Sequence, residues 1–417
     1  MTEERFDFNS SLKKKIFITG GIGLALLVIG CVVLALFSGG HGAEAAAHGE
    51  GHEFHWYQRL FSNLWINNVY FTGLGIIGLF FVAIQYAAQA GWSAAIKRIP
   101  EAFGAWLPYA GVLMLVVFLL GGHSIFHWTH DYLFDESDPR YDYIIAGKQA
   151  YLNYPFFIAR LVVYFGVWYF MYRLIRKESL AEDLNGGVLH YHKLVKYSTI
   201  FIVFFAITSS TSAWDWTLSI DTHWFSTMYG WYNFASWFVS GLAAITLITV
   251  LLRENGYINI VSSEHLHDLG KFVFAFSIFW AYIWFSQFLL IYYANIPEES
   301  IYYLERLSSD YYSPFFFITL ILNFFFPFLV LMSRDSKRHT VFLKLVCIVV
   351  MLGQWLNFYL MITPGILKEN GGFGLIEIGS TMLYLAAFAY VVLNNLSKAP
   401  LVAKNHPMLQ ESIHHHT

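Results

Sequence analysis

FVFAFSIFWAYIWFSQFLLIYYA, residues 272–294, is the stretch that decides the fold. It contains no Asp, Glu, Lys or Arg, and it is slightly longer than the roughly 20 residues that a helix needs to cross the hydrocarbon core of a bilayer. Because lipid offers no hydrogen bonds to the backbone, an apolar stretch of this length is stable in a membrane only as a helix. We therefore expect residues 272–294 to form a membrane-spanning helix.

Nine further apolar stretches meet the same criterion. The 417 residues are 57% hydrophobic and 13% charged, whereas an ordinary soluble domain carries about 25% charged residues. This composition excludes a soluble enzyme, and a net charge of −3 without a basic tail excludes a nucleic-acid-binding surface. The chain is therefore predicted to be an all-α integral membrane protein of about ten transmembrane helices. The expected spans are 16–37, 66–90, 103–122, 154–172, 197–213, 224–252, 272–294, 313–332, 340–363 and 375–396.

The distribution of positive charge predicts the orientation. Nineteen of the 25 Lys and Arg residues fall on one side of these spans and five on the other, and Arg160 lies within a span. Loops that are rich in Lys and Arg stay in the cytoplasm. We therefore expect a multi-pass membrane protein with both termini in the cytoplasm.

Short sequence matches recur at a constant offset, which is typical of duplicated membrane bundles. Two sets of matches are 159 residues apart, and a third is 151 residues apart because the second half has a shorter cytoplasmic loop. The matches are Trp65 with Trp224, Tyr70 with Tyr229, the tripeptide PFF at 155–157 and 314–316, and the tripeptide KLV at 193–195 and 344–346.

Four spans in each repeat preserve the orientation, so the matches predict two four-helix bundles in parallel arrangement. The first and last spans would then be peripheral. The expected regions are 1–63 (N-terminus, first span and His-rich periplasmic loop), 64–213 (first bundle), 214–363 (second bundle) and 364–417 (last span and cytoplasmic tail).

Two aromatic sequences carry a resemblance to a known family. They are SAWDWTLSIDTHWFSTMYGWY at 212–232 and HDLGKFVFAFSIFWAYIWFSQFLLIYYANIPEE at 267–299. Together with the layout of ten spans, they resemble the ActF-type subunits of alternative complex III, the bacterial quinol:cytochrome c or cupredoxin oxidoreductase. These subunits belong to the NrfD-like, polysulfide-reductase type of membrane subunit, and the resemblance covers nearly the whole chain.

The resemblance implies a membrane subunit of the bacterial cytoplasmic membrane that binds no cofactor of its own. Its expected partners are a sister NrfD-like subunit (ActC), an iron-sulfur subunit (ActB), multihaem and monohaem c-type cytochrome subunits and, in some complexes, a terminal oxidase. Haem c and iron-sulfur clusters would lie in those partners, and quinol or menaquinol would be oxidised mainly in the sister subunit. For this chain the resemblance implies bound structural lipids, an accessory quinone site, or a role in proton translocation.

Arg160 and His123 are the quinone-site candidates. Arg160 lies about six residues, or ~9 Å, inside the fourth span, where a charge normally faces a partner or water. Either it reaches the interface or a structural ion pair, or it binds a quinone carbonyl or a carboxylate. His123 loosely matches the His of the family's quinol pocket, but the fourth span supplies a cation and no acid, which counts against quinol oxidation here.

A set of titratable and neutral polar side chains forms a candidate proton path through the second bundle. On the outer side, Asp215 and Asp221 lie near a short turn that has no Lys or Arg, and on the inner side Asp268 and Lys271 lie at the mouth of the seventh span. Such groups either support a water chain or only hold helices together. The candidates are Asp215, Asp221, His223, Asp268, Lys271, Gln287, Asn323, Gln354, Asn357 and Glu377.

The seventeen histidines do not predict a metal centre. None lies in the middle of a predicted span, where a bis-histidine haem would need its ligands. The loop 41–55 carries His41, His48, His52 and His55 among Gly and Ala, and we expect a solvated loop there. No role is expected for the histidines at 414–416. No catalytic residue or metal ligand is predicted in this chain.

Three functional classes follow. The first is a subunit of a respiratory quinol-oxidising complex that contributes to proton translocation, an accessory quinone site and assembly. The second is a secondary transporter with duplicated bundles. The third is a structural scaffold subunit, whose buried polar groups only join helices and recruit partners.

Overall fold

The computed structural model describes residues 4–45 and 54–416. Within these ranges, ten helical stretches are long and apolar enough to cross a membrane, which confirms the predicted all-α membrane architecture. The side chains of His41, His48 and His52 lie outside the described residues. His55 precedes the second helix and caps its first turn together with Gln58.

The helices run in this order: α1 (Ser10–Ala45), α2 (Trp56–Ala87), α3 (Arg98–Phe103), α4 (Leu107–Ile125), α5 (Tyr143–Ala146), α6 (Tyr154–Asn185), α7 (Leu189–Trp216), α8 (Tyr229–Glu254), α9 (Ser263–Ala294), α10 (Pro297–Leu307), α11 (Tyr312–Leu320), α12 (Phe326–Val330), α13 (Thr340–Leu367), α14 (Leu375–Leu396) and α15 (Leu409–Ile413). A π-helical segment, Ile321–Phe325, joins α11 to α12. Short 3-10 turns occupy Gly91–Ala95, Gly104–Trp106, His127–Thr129, Asp131–Phe134, Leu218–Ile220 and Lys368–Asn370.

Several helices differ in length from the predicted spans. The helix α6 continues well past its predicted end at 172, and α7 begins well before its predicted start at 197. Charged residues end an apolar stretch without ending a helix. The sixth span begins at Tyr229 rather than at 224, since the residues before it form turns. The eighth span is one continuous apolar stretch in sequence, but its helix changes to π geometry at Ile321–Phe325.

The spans form two rings of four. In the first bundle α2 contacts α4 and α7, and α6 contacts both α4 and α7, which closes the ring. In the second bundle α8 contacts α9 and α13, while α11 and α12 contact α13 and α9. The helices α1 and α14 contact each other along their lengths at the edge of the first bundle. This is the predicted pair of four-helix bundles with peripheral first and last helices.

The repeat is clearest in α7 and α13. Each has 28 residues, and their first residues are separated by the predicted offset of 151. Other matches do not occupy equivalent positions: Tyr70 lies in the middle of α2, whereas Tyr229 is the first residue of α8. The offset of 151 therefore relates two whole helices, whereas the aromatic matches do not mark equivalent positions, and the duplication stays a prediction.

Glycines allow the two bundles to meet closely at α2 and α8. A Cβ atom added at Gly73 would lie 2.0 Å from the Trp237 ring, and one added at Gly241 would lie 2.2 Å from Ile77. Small residues permit close approach of helices where lipid provides no hydrophobic driving force between them. Both helices are largely enclosed by their neighbours, so this contact is the centre of the molecule.

Both chain ends lie on the face that is rich in Lys and Arg, which we call the basic face. The amide of Leu401 donates a hydrogen bond of 2.9 Å to the Glu4 carbonyl, and Arg5 forms an isolated β-bridge with Pro400. The predicted location of both termini on one side of the membrane agrees with this contact. The assignment of that side to the cytoplasm stays a prediction.

Candidate functional site

Arg160 forms a buried ion pair at the end of the first bundle opposite the basic face. Its Nε donates to Asp215 Oδ2 at 2.7 Å, and the Tyr164 hydroxyl lies 3.2 Å from the same oxygen. Asp215 is in the last turn of α7, because that helix continues to Trp216. The expectation that placed Asp215 in the second bundle is thus wrong, and the acid that the fourth span lacks comes from the fifth.

Aromatic side chains enclose the Arg160 guanidinium. Its central carbon lies 3.9 Å from the Tyr151 ring centroid and 4.3 Å from that of Phe156, and Nη1 donates to the Tyr151 carbonyl at 2.9 Å. Burial and the nearby Asp215 carboxylate raise the pKa of Tyr151. Arg160 Nη2 and Asp215 Oδ1 have no hydrogen-bond partner in the described part of the chain. The pair therefore retains one donor and one acceptor for a small polar group.

His123 lies at the end of α4 and belongs to a separate histidine cluster. Its Nδ1 is 3.1 Å from the Thr129 hydroxyl, and its ring lies 5.4 Å from that of His130. Among residues 4–45 and 54–416, no hydrogen bond, ion pair or ring contact joins His123 to Arg160. The two predicted quinone-site candidates are therefore not brought together by direct contact.

Asp221 is also neutralised by a cation that lies far from it in the sequence, outside its own turn. The Arg306 guanidinium lies 3.5 Å from Asp221 and donates to the carbonyls of Leu360 and Met361. Arg306 also lies 3.3 Å from the Tyr302 ring centroid, and burial raises the pKa of that tyrosine to about 12 although the cation opposes the shift. The turn itself has no Lys or Arg, but Asp221 is nevertheless paired with a cation from another part of the chain.

His223 and Glu377 have different surroundings. His223 is exposed and lies 2.6 Å from Asp142. Glu377 is fully buried and accepts two hydrogen bonds from Arg59, at 2.8 and 2.6 Å, and one of 2.8 Å from Asn63. Since Arg59 and Asn63 lie on α2, Glu377 is held against the first bundle rather than lying in an outer half-channel of the second.

The predicted titratable cluster at the start of α9 is present and is covered by the end of the chain. Asp268 pairs with Lys271 at 2.5 Å and with His415 at 2.6 Å. His265 lies 3.1 Å from the Ser412 hydroxyl. The histidines at 414–416, for which no role was expected, therefore include one that pairs with a proton-path candidate.

Neutral polar side chains converge inside the second bundle. Both amide atoms of Gln287, Asn323 and Gln354 lack a hydrogen-bond partner among the residues that the structure describes. Asn357 instead donates to the Ser236 hydroxyl at 3.0 Å. We call this set the polar seam; its members are Tyr232, Ser236, Gln287, Thr319, Asn323, Gln354 and Asn357.

The polar seam borders a small cavity with room for about one water molecule. Tyr232, Thr319 and Asn357 line it, together with Arg306. A Cβ atom at Gly353 would lie 2.6 Å from Asn323 Oδ1, so Asn323 faces α13 beside Gln354. The seam thus connects the Arg306 end of the second bundle to its middle.

The sequence reasoning missed a buried set of charges at the basic face of the first bundle. Three cations and three acids meet there, and we call them the ion cluster. The i,i+3 spacing of Arg98 and Glu101, and of Arg176, Ser179 and Glu182, was the available signal. The members are Lys97, Arg98, Glu101, Arg176, Glu182 and Asp183.

Within residues 4–45 and 54–416, no group of three or more His, Cys, Asp or Glu side chains is arranged to hold a metal ion. No model of a known protein family matches the chain, and no curated protein matches it. The function therefore has to be inferred from the sequence resemblance and from the contacts inside the two bundles.

Proposed function

We propose that this chain is a membrane subunit of a respiratory quinol-oxidising complex of the alternative complex III type, and that its second bundle supports proton movement. The two aromatic sequences at 212–232 and 267–299 support the family, and the polar seam supports the proton role. The electron carriers would lie in partner subunits, as the resemblance implies.

The observation that carries the proton role is the set of unpartnered amides in the polar seam. Gln287, Asn323 and Gln354 are at most 1% exposed, and neither amide atom of any of them is hydrogen-bonded within the described ranges. A buried polar group without a partner costs about 1–3 kcal/mol, and native proteins satisfy such groups, often with ordered water. Water along the seam would allow protons to move through the second bundle.

Hydrogen bonds already link part of the seam. The Tyr232 hydroxyl donates to Asn357, and both Asn357 and the Trp280 indole donate to the Ser236 hydroxyl. Such a connected network holds donors and acceptors in fixed directions. Only the positions between its members would need water to complete a short proton path.

The Arg160 and Asp215 pair is the location that best suits an accessory quinone. Its remaining donor and acceptor are a guanidinium nitrogen and a carboxylate oxygen, and these match a quinol hydroxyl. The guanidinium is already neutralised by Asp215, so we place the principal role of the chain in proton movement.

The test replaces seam amides in the intact complex reconstituted in liposomes. Asn323→Leu and Gln354→Leu should lower the number of protons released per electron, or slow turnover, because leucine cannot hold water. Asn67→Leu is the matched control: this buried amide donates to Asn63 and Ser380, accepts from Trp355, and lies outside the seam. It should reduce the amount of assembled complex without changing proton release per electron.

The outcomes separate the alternatives. If the seam variants change only the yield of complex, measured by its haem c absorbance, the chain acts as a scaffold. A secondary transporter is the other candidate, because the π-helical segment Ile321–Phe325 interrupts one span and interrupted helices often line transport sites. A purified free chain that moves a solute, with no cytochrome or iron-sulfur subunit copurifying, would favour the transporter.

A further inference from the structure

The ion cluster lies inside the first bundle, away from the polar seam. Its three cations and three acids come from the segment around α3 and from α6, and they are nearly inaccessible to solvent. Buried ion pairs are costly to desolvate, and removing one partner leaves an uncompensated charge. The six charges of the ion cluster therefore either give the fold structural specificity or have a functional role.

The Glu101 carboxylate of the ion cluster is hydrogen-bonded through both of its oxygens. Glu101 Oε2 accepts from Arg98 at 2.9 Å and from Arg176 at 2.6 Å, and Glu101 Oε1 accepts from the Ser179 hydroxyl at 2.5 Å. Two arginines, which do not lose their protons in proteins, hold this carboxylate. Glu101 therefore stays ionised and has a structural role.

The Lys97–Glu182 pair of the ion cluster is incompletely hydrogen-bonded. Lys97 Nζ donates to Glu182 Oε2 at 2.5 Å and to the Tyr86 hydroxyl at 2.7 Å. Glu182 Oε1 is fully buried and has no hydrogen-bond partner within the described residues. Its counter-ion is a lysine, whose pKa responds readily to burial, rather than an arginine. Asp183 Oδ1 also lacks a partner among the described residues, but Asp183 pairs with Arg98, which keeps its proton. The Lys97–Glu182 pair is thus the one in which a proton can move between the two partners.

A small cavity lies beside this pair and has room for about one water molecule. Lys97, Tyr86 and His406 line it, and so does the half-buried Ala90, which follows exposed residues at the end of α2. Glu182 lies behind Lys97 and is reached from the cavity through its hydrogen bond with Lys97 Nζ. A water there would connect the pair to solvent at the basic face. The cavity supplies a short route for a proton.

We propose that the Lys97–Glu182 pair is a protonation site that exchanges a proton with water at the basic face through this cavity. Lys97 passes a proton along its hydrogen bond to Glu182 Oε2 and takes one from solvent through the cavity water, so Glu182 becomes neutral, Lys97 stays charged, and the pair changes from net neutral to one positive charge. Release returns the proton to water by the same route. The assignment of this site to proton translocation rests on the proposed function, whereas its titration does not.

Charged and titratable groups from every adjoining element surround the pair. Burial lowers the pKa of Lys97, although the attraction of Glu182 opposes the shift. Burial and the neighbouring cations lower the pKa of His406 to about 3. This imidazole is therefore uncharged at physiological pH and can form a hydrogen bond with water. The groups that face the pair are Tyr86 of α2, Arg98 and Glu101 of α3, Arg176 and Asp183 of α6, Tyr191 of α7, and His406 of the C-terminal segment.

The test is a pH titration of the full chain in lipid nanodiscs, followed by infrared spectroscopy in H₂O and D₂O. We expect a protonated-carboxyl band that appears as the pH falls and shifts in D₂O. Glu182→Gln should remove this band. Glu178→Gln is the matched control one turn earlier on α6, where the carboxylate pairs with His190 near the surface, and it should retain the band.

A folding defect is separated from loss of the site by a second variant. The double variant Lys97→Met with Glu182→Gln removes both charges together, so it leaves no unpaired buried charge, and it should fold and lack the band. A band that persists in this variant, or a wild-type chain without any titrating carboxyl, would overturn the proposal. Because no partner subunit is present, these results are independent of whether the chain belongs to a quinol-oxidising complex.

Discussion

Buried charges in this protein are held in pairs that join different helices. Arg160 contacts Asp215 across α6 and α7, and Arg59 contacts Glu377 across α2 and α14. Each pair places a cation and an acid where neither would be stable alone. The pairs therefore fix which helices are neighbours as well as neutralising their charge.

Asp215→Asn should destabilise the protein because it leaves Arg160 buried without its counter-ion. Breaking a buried pair on one side costs about 3–5 kcal/mol, which thermal unfolding in detergent would detect as a lower Tm. The control is Asp138→Asn, whose partner Arg140 is 65% exposed, and it should leave the Tm unchanged. Equal Tm values for wild type and Asp215→Asn would contradict a stabilising role for this pair.

The sequence predicted which residues carry charge inside the spans but not their partners. Arg160 was recognised from its depth in an apolar stretch, yet its acid is 55 residues away, and the partner of Arg59 is 318 residues away. Local sequence contains no information about such pairing, because it depends on how helices are arranged. The ion cluster had one local signal, the i,i+3 spacing of Arg98 and Glu101, but its contacts between α6 and the segment around α3 were missed for the same reason.

At the scale of helices, the contact between α2 and α8 depends on two glycines. Gly73→Ala should destabilise the protein by about 1–3 kcal/mol, the usual cost of overpacking, because its Cβ would lie 2.0 Å from the Trp237 ring. Gly166→Ala is the control, since a Cβ there meets no atom within 4 Å. Guanidinium or thermal unfolding of both variants, reconstituted in the same lipid, would measure the difference.

Hydropathy predicted all ten spans because each must satisfy its own backbone hydrogen bonds in lipid. It did not predict where helices end beyond the membrane: α6 runs to Asn185 because its charged last turns stay helical in contact with α7. It also did not predict the π-helical segment Ile321–Phe325, which leaves the apolar character of the sequence unchanged.

At the scale of the whole molecule, the C-terminal segment joins the two bundles across the basic face. Ser412 is hydrogen-bonded to the Ala95 amide and the Trp92 carbonyl near the first bundle, and to His265 of α9 in the second. His406 lies between the rings of Tyr86 and Tyr191. The docking of the C-terminal segment thus depends on titratable groups, one of which is His406.

Docking of the C-terminal segment should weaken as the pH falls. The pKa of His406 is 6.5 when free and about 3 when docked, chiefly because of burial. Below pH 6.5 the released segment therefore binds a proton that the docked segment does not, and this favours release until the pH approaches 3. Limited proteolysis of the tail should accelerate over that range.

His406→Phe is the matched variant for this pH dependence, because it keeps an aromatic ring between the two tyrosines and cannot be protonated. Its tail should show a smaller increase in cleavage as the pH falls. An identical increase in both proteins would contradict the role of His406 in this pH dependence.

The packing of α1 against α14 has a consequence for biogenesis. The helix α1 makes most of its contacts with α14, which is synthesised much later, and Gly23 and Gly379 allow the two backbones to touch. Until α14 has been synthesised, α1 therefore has few helix contacts and remains surrounded by lipid. The contacts of α1 form only when α14 has been inserted, so a ribosome that stalls before that point leaves α1 without its place in the fold.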